Sequence, residues 1–550
     1  MNKKFVMKKF VLALFAAAML AGLILPAAGA TFRERLEALE GVTSVTEIVQ
    51  SGDQVPFAGK YLVTFAQPLD WENPNGATFP QRVEIGYNGD SAVNVFFVGG
   101  YDLNDRIFPQ DDRMDLAKEL DGCNYILPEY RFFNKSIPEG LSINKLDYWE
   151  YLNDWQASND FHSLITKLKT LLSGKWAFTG ISKGGQATCV HAYYFPEDAD
   201  VYVNYVGPFC ETPIDERMFD AVYTEIGNTK YGETQAAAYR KLILDFQVEA
   251  IKNRDALQEA LCSFDVNSEN ARLRPDLTME KLFDMLTLDF AVLVWQYYQD
   301  FKAVQTVMDM PHGANATEDQ KAAFVAAIQD LIREVSGAKA LPEMEGNRVT
   351  RLLQLLRADE ESRGSSVVDP MFYPYEIQAA RENGNYLRKG SYLRDALVKD
   401  GSEASLVITE EHEKENYLWS FTAEQRAAFT FDPTLRDAMK EWARTTETPV
   451  IMLFAQSDPW YFGRLNVAES ELSPSIHFYA DEDQSHIFEI SKMRNKASIA
   501  EVRALLSEHL TAASGGSGGG HSGCDAGVVS GVFGLLALAE GLLVLRRKTR

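Results

Sequence analysis

The 550-residue sequence predicts an α/β fold, a largely parallel sheet with helices on its faces, interrupted by one large and mainly helical insertion. Three observations predict it. Short apolar runs alternate with helical stretches over the first two hundred residues, long amphipathic segments follow, and strand-like runs return near Pro449. Such alternation marks parallel strands joined by crossover helices. The length agrees, because single cores stop growing at roughly 250 to 300 residues.

Residues 1–30 read as a secretory signal: Lys3, Lys4, Lys8 and Lys9 make a basic start, Phe10 to Leu25 an apolar run, and Ala28-Gly29-Ala30 a small-residue cleavage site. Residues 31–212 form the first part of the sheet domain. Strands are expected at Tyr61 to Phe65, Arg82 to Tyr87, Val93 to Val98, Asn124 to Leu127, Lys175 to Thr179 and Val201 to Val206, with a helix at Phe161 to Leu172. Residues 213–440 are expected to be a helical cap, carried by Gln235 to Ala260, Met279 to Lys302 and Glu318 to Val335. The sheet domain resumes over 441–512, with strands at Pro449 to Ala455 and Ser475 to Tyr479 and a helix near Lys496 to Leu510. A Gly/Ser linker with Cys524 covers 513–525. Residues 526–550 form a tail of about 20 mostly apolar residues closed by Arg546-Arg547-Lys548, the pattern of a membrane span with a positive stop, in which Glu540 is a costly intruder.

A formal net charge of −24 repels nucleic acid and anionic lipid, so neither is an expected partner. An exported chain meets an oxidising compartment, where Cys123, Cys189, Cys210 and Cys262 permit two disulfides in three connectivities. No cofactor or metal is expected. There is no H-E-x-x-H and no phosphate loop; Cys189-Val190-His191 reads as core packing and Glu411-His412-Glu413 as a charged helix face.

The chemistry concentrates at Gly180-Ile181-Ser182-Lys183-Gly184-Gly185, which follows an expected strand and opens an expected helix. Glycines there permit the sharp turn that pushes a serine hydroxyl out of the strand end. Asp458 follows directly on Ile451 to Ala455, and His486 lies seven residues beyond Tyr479. Serine, acid and histidine, in that order and each after a strand, are what the α/β-hydrolase fold requires. His486 would take the Ser182 proton and Asp458 would hold its tautomer. The backbone N–H of Lys183 would give one oxyanion donor, and the Gly99-Gly100-Tyr101 loop, through Tyr101, a second. His162, His191, His312, His412, His477 and His509 fall in helical or strand-like stretches and are set aside.

With Pro128-Glu129-Tyr130-Arg131-Phe132-Phe133 and Gln456-Ser457-Asp458-Pro459-Trp460 added to these segments, the chain resembles the secreted bacterial prolyl tri/tetrapeptidyl aminopeptidases of the PS-10 type, serine peptidase family thirty-seven, over most of residues 45–505. Relatives commonly carry Glu-His-Arg, two aromatics and a glycine, so Tyr130 and Asn134 depart from the pattern, and Glu129 with Arg131 is expected to form a structural ion pair beside the site. The resemblance implies hydrolysis of short peptides from the amino terminus, often after proline, beneath a helical cap. The alternatives are an esterase or acyl hydrolase on the same fold and a non-catalytic surface-binding protein. The tail resembles the glycine-cysteine sorting signals of the Synergistes group, which implies processing near Cys524, engagement of the membrane and a sorting protease, and a place in the cell envelope or on its surface.

Overall fold

The computed structural model describes residues 29–50, 56–103, 113–139, 146–261, 278–335, 372–414 and 423–511. The expected signal, linker and tail, with Cys262 and Cys524, lie outside them apart from Gly29 and Ala30. Among the described residues no helix is long and apolar enough to cross a membrane.

Nine strands make one sheet: β1 (Val42–Glu47), β2 (Gly59–Pro68), β3 (Thr78–Tyr87), β4 (Asn94–Val98), β5 (Asn124–Pro128), β6 (Trp176–Ile181), β7 (Val201–Tyr205), β10 (Val450–Ala455) and β11 (Ile476–Asp481). Two residue pairs, β8 (Ile214–Asp215) and β9 (Asn385–Tyr386), form a separate small ladder. The order across the sheet is β1-β2-β3-β5-β4-β6-β7-β10-β11. From β5 to β11 every neighbour is parallel, and β1, β2 and β3 add an antiparallel flank. This is the α/β-hydrolase fold with an extra edge strand.

The inner parallel strands are mostly apolar because both faces are covered. Phe96, Met452 and Phe454 pack on one face with the helices Asp154–Leu168, Lys183–Tyr194 and Thr434–Thr445; Val95, Phe97, Ile451 and Leu453 pack on the other with Asp115–Glu119 and Lys496–Leu510. The alternation of neighbouring residues between faces is the period-two pleat of a strand.

The insertion has its own apolar cluster, drawn mainly from the helices Glu233–Lys252, Met279–Leu293 and Glu318–Val335. Two long helices expected from periodicity are broken. Asn253 ends the first at φ −105°, ψ 20°, and a π-turn over Val294–Tyr298 ends the second with Gln299 at φ 47°. Helix Thr434–Thr445 crosses the expected boundary at residue 440 and gives Leu435, Met439, Trp442 and Ala443 to the sheet's cluster rather than the insertion's.

Candidate active site

At the carboxyl end of β6 the chain turns through Ser182, held at φ 57°, ψ −122°, and enters the helix Lys183–Tyr194. A non-glycine residue persists there only where its surroundings over-determine it. They do so by close packing. A Cβ on Gly184 would lie 1.8 Å from the Val98 carbonyl oxygen, and one on Gly180 2.3 Å from that of Gly184, so the helix start sits directly on the ends of β4 and β6. Ser182 N–H donates to the Tyr205 carbonyl at 2.9 Å and its own carbonyl accepts from Gln186 N–H at 3.0 Å, joining ladder to helix.

Asp458 and His486 follow β10 and β11, so all three residues lie at the carboxyl edge of the parallel strands, where open α/β sheets place their sites. Asp458 caps the short helix Pro459–Phe462: its Oδ1 accepts from Trp460 N–H at 3.2 Å. Its Oδ2 stands 2.7 Å from His486 Nδ1. Since an ionised carboxylate only accepts, Nδ1 carries the proton and Nε2 is left as the basic nitrogen. Asp458 is fully buried and His486 is 4% exposed. The histidine loop is shaped by Asp481, which accepts from Asp483 and Gln484 N–H at 2.9 and 3.0 Å and from Arg494 N–H at 2.7 Å. It is pinned to the insertion by His486 N–H donating to the Gln296 carbonyl at 3.1 Å, with the Tyr297 ring edge-on to the imidazole at 5.4 Å.

Gly100, at φ 83°, brings the loop after β4 onto the helix start; a Cβ there would lie 2.9 Å from Gly184 N. Lys183 Nζ donates to the Gly100 carbonyl at 2.8 Å, and Tyr130 N–H to the Tyr101 carbonyl at 2.9 Å. Glu129 supports the same loop, accepting from Leu103 N–H at 3.0 Å and from Ser136 Oγ at 2.6 Å.

The expected Glu129–Arg131 ion pair is not formed. Glu129 faces the neighbouring antiparallel strand and pairs with Arg82, whose Nε donates at 2.8 Å. The chain then reverses at Phe132, φ 69°, and Arg131 reaches Asp160 on the helix Asp154–Leu168 through Nε and Nη2 at 2.8 and 2.9 Å. Asn134 takes a left-handed conformation, φ 45°.

Sequence reasoning missed a buried polar network on the flank of the helix Lys183–Tyr194. Asp154 N–H donates to Glu382 at 2.8 Å, Gln378 Nε2 donates to Asp154 Oδ1 at 2.6 Å, and Arg436 lies 3.4 Å from Asp154 Oδ2. Burial and the Asp154 carboxylate push Glu382 up to about 8. These residues are scattered over nearly three hundred positions, so no local pattern announces them.

The two disulfides that the sequence permits are not both formed, because Cys189 and Cys210, among the described residues, are buried free thiols, and burial pushes both up to about 12. Cys189, on the buried face of the helix Lys183–Tyr194, accepts from Asn204 Nδ2 at 3.3 Å, while Cys123 donates to the Ala117 carbonyl at 3.5 Å. His191, also buried, shares Asp198 with His162 at 3.0 and 2.8 Å and stacks on Phe178. Among the described residues no group of three or more His, Cys, Asp or Glu is placed to hold a metal.

The family model for the PS-10 peptidase S37 family matches residues 28–339. The prolyl tri/tetrapeptidyl aminopeptidase of Streptomyces mobaraensis is 25% identical over 439 residues, which cover 79% of this chain and 76% of that protein. Among solved structures, the proline iminopeptidase of Mycobacterium smegmatis is 12% identical, with a TM-score of 0.30 over 81% of this chain and 98% of its own. An esterase from Thermogutta terrifontis is 11% identical, with a TM-score of 0.28 over 85% and 100%. The fold assignment rests on the strand order described above.

Proposed function

The chain belongs to the PS-10 family of S37 peptidases, and from that premise we propose that it is an exported serine peptidase that removes tri- or tetrapeptides from the amino terminus of short substrates, with a preference for cleavage after proline. Membership makes it a hydrolase acting on peptides. The serine mechanism rests on one observation above the rest, the 2.7 Å contact between Asp458 Oδ2 and His486 Nδ1 at the sheet edge that also carries the strained Ser182, and the amino-terminal, proline-directed reading is supported by the likeness to the Streptomyces mobaraensis aminopeptidase.

In this mechanism His486 Nε2 accepts the Ser182 proton as Oγ attacks the scissile carbonyl, and Asp458 stabilises the imidazolium that forms. The tetrahedral oxyanion is met by the N–H groups of Lys183 and Tyr101. His486 then protonates the leaving amine, and water, activated by the same nitrogen, hydrolyses the acyl-enzyme. The insertion, which reaches His486 through Gln296 and Tyr297, limits entry to short or extended chains. Export and transient anchoring are supported by the basic and apolar start of the chain and by its Gly-Cys, apolar and basic end.

The test is release of a chromophore from amino-free and amino-blocked proline-containing tripeptides by the purified enzyme and by Ser182→Ala. Turnover of the free form alone, lost on substitution, is expected. Turnover of a simple acyl ester with both peptides intact would replace the reading with an esterase; hydrolysis of neither would leave a binding protein on a peptidase scaffold. Mass measurement of the mature protein checks cleavage after Ala30 and near Cys524.

A further inference from the structure

The side chain of Lys183 takes no part in the chemistry above, yet it is buried against the site. Its Nζ donates to the Gly100 carbonyl at 2.8 Å and lies 3.3 Å from the centroid of the Tyr130 ring, with Phe133 at 5.2 Å and Tyr101 at 5.7 Å. Burial pushes this amine down to about 7, and the Asp154 and Glu382 carboxylates oppose the fall. An ammonium removed from water is costly unless it is met by acceptors and ring faces. The fold supplies both here, one residue past the nucleophile.

The Gly100 carbonyl and the Tyr101 N–H belong to one planar trans peptide, so they point in opposite directions. Whatever holds the carbonyl toward Lys183 turns the N–H away from it. The loop has little freedom to answer otherwise: Gly100 is at φ 83°, and a Cβ there would lie 3.1 Å from both Cβ and Cγ of Lys183. The Tyr101 carbonyl is fixed from the other side by Tyr130 N–H at 2.9 Å.

We propose that Lys183 is a positioning residue for the oxyanion hole: its main chain gives one donor, and its side chain, clamped on Gly100 over the Tyr130 ring, orients the second, Tyr101 N–H. This rests on the reading of Ser182 as nucleophile. The clamp acts on the transition state and leaves the substrate's ground-state contacts alone.

Lys183→Met keeps the length of the side chain and removes the donor; Tyr130→Leu keeps the lysine and removes its platform. For Lys183→Met, kcat on an amino-free tripeptide anilide is expected to fall about 100-fold, the scale of one lost oxyanion donor, with KM within threefold. Affinity for the matching peptide aldehyde, which forms a tetrahedral adduct, falls in parallel, whereas that for the product tripeptide does not change. Tyr130→Leu shows the same split with a smaller amplitude, and it decides the matter should Lys183→Met fail to fold. Unchanged kcat and aldehyde affinity, or equal weakening of aldehyde and product, overturns the proposal. Labelling of the wild-type enzyme by a fluorophosphonate separates the two readings: no adduct at Ser182 removes the nucleophile itself, whereas an adduct with unchanged aldehyde affinity in both variants removes only the clamp.

Discussion

Replacing Asp458 with asparagine removes a charge and turns an acceptor into a donor, and the structure says which way the new amide faces. Trp460 N–H already occupies Oδ1 at 3.2 Å, so the amide oxygen stays there and the amide nitrogen takes the place of Oδ2, 2.7 Å from His486 Nδ1. A donor at that place makes Nδ1 the acceptor and moves the ring proton to Nε2, which then cannot accept from Ser182. The imidazolium also loses its counter-charge. At 2.7 Å and an effective dielectric of about 20, that attraction is worth about 6 kcal/mol, which corresponds to roughly 10⁴-fold in rate. Single-turnover release of anilide by Asp458→Asn is expected to be slower by about that factor, with the thermal midpoint close to wild type. A loss of less than tenfold in a folded variant would refute the assigned orientation and the role of Asp458 with it.

Three further substitutions probe the frame. Gly184→Ala sets a Cβ 1.8 Å from the Val98 carbonyl oxygen and is expected to cost at least about 3 kcal/mol in urea unfolding, with activity lost as the helix start lifts from β4. Arg131→Met strands the buried Asp160 carboxylate, and a loss of about 3 to 5 kcal/mol is expected while the folded fraction keeps its kcat. Asp115, which accepts from Tyr205 Oη and Ile490 N–H at 3.0 Å each, is raised from 3.8 to about 6 by burial. Between those values the folded chain holds a proton that the unfolded chain has lost, so its contribution to stability is present below pH 3.8 and disappears as pH rises through about 6. Asp115→Asn retains an acceptor without the charge and should gain stability relative to wild type between pH 4 and 7; parallel urea midpoints that keep a constant offset would contradict this.

The six parallel strands were legible because strands covered on both faces read as short apolar runs, as in Ile451 to Ala455, and the antiparallel β2 and β3 because β-branched and aromatic residues recur along them between turn clusters. The edge strand β1, Val-Thr-Ser-Val-Thr-Glu, was not, since only Val45 along it is buried and its pattern reads as loop. Helix periodicity located Met279–Leu293 but not its end, because the π-turn after it is set by packing in the insertion. The placements of Ser182, Asp458 and His486 were readable because each follows a strand end, a relation that survives any detail of side-chain packing. Partners were a different matter. Glu129 and Arg131 are two residues apart and opposite in charge, yet a neighbouring strand and a reversal at Phe132 send them to Arg82 and Asp160. The same holds for Lys183, which sequence reading used only for its backbone, and for Glu382, which meets Asp154 from 228 residues away.

The most direct test of the account is the site of covalent modification by a fluorophosphonate, read by peptide mass spectrometry in the wild type and in His486→Ala. One adduct, on Ser182, is expected in the wild type and none in the variant, because the proposed mechanism makes His486, paired with Asp458, the base that activates the hydroxyl. An adduct on another residue, or undiminished labelling of Ser182 without His486, would contradict it.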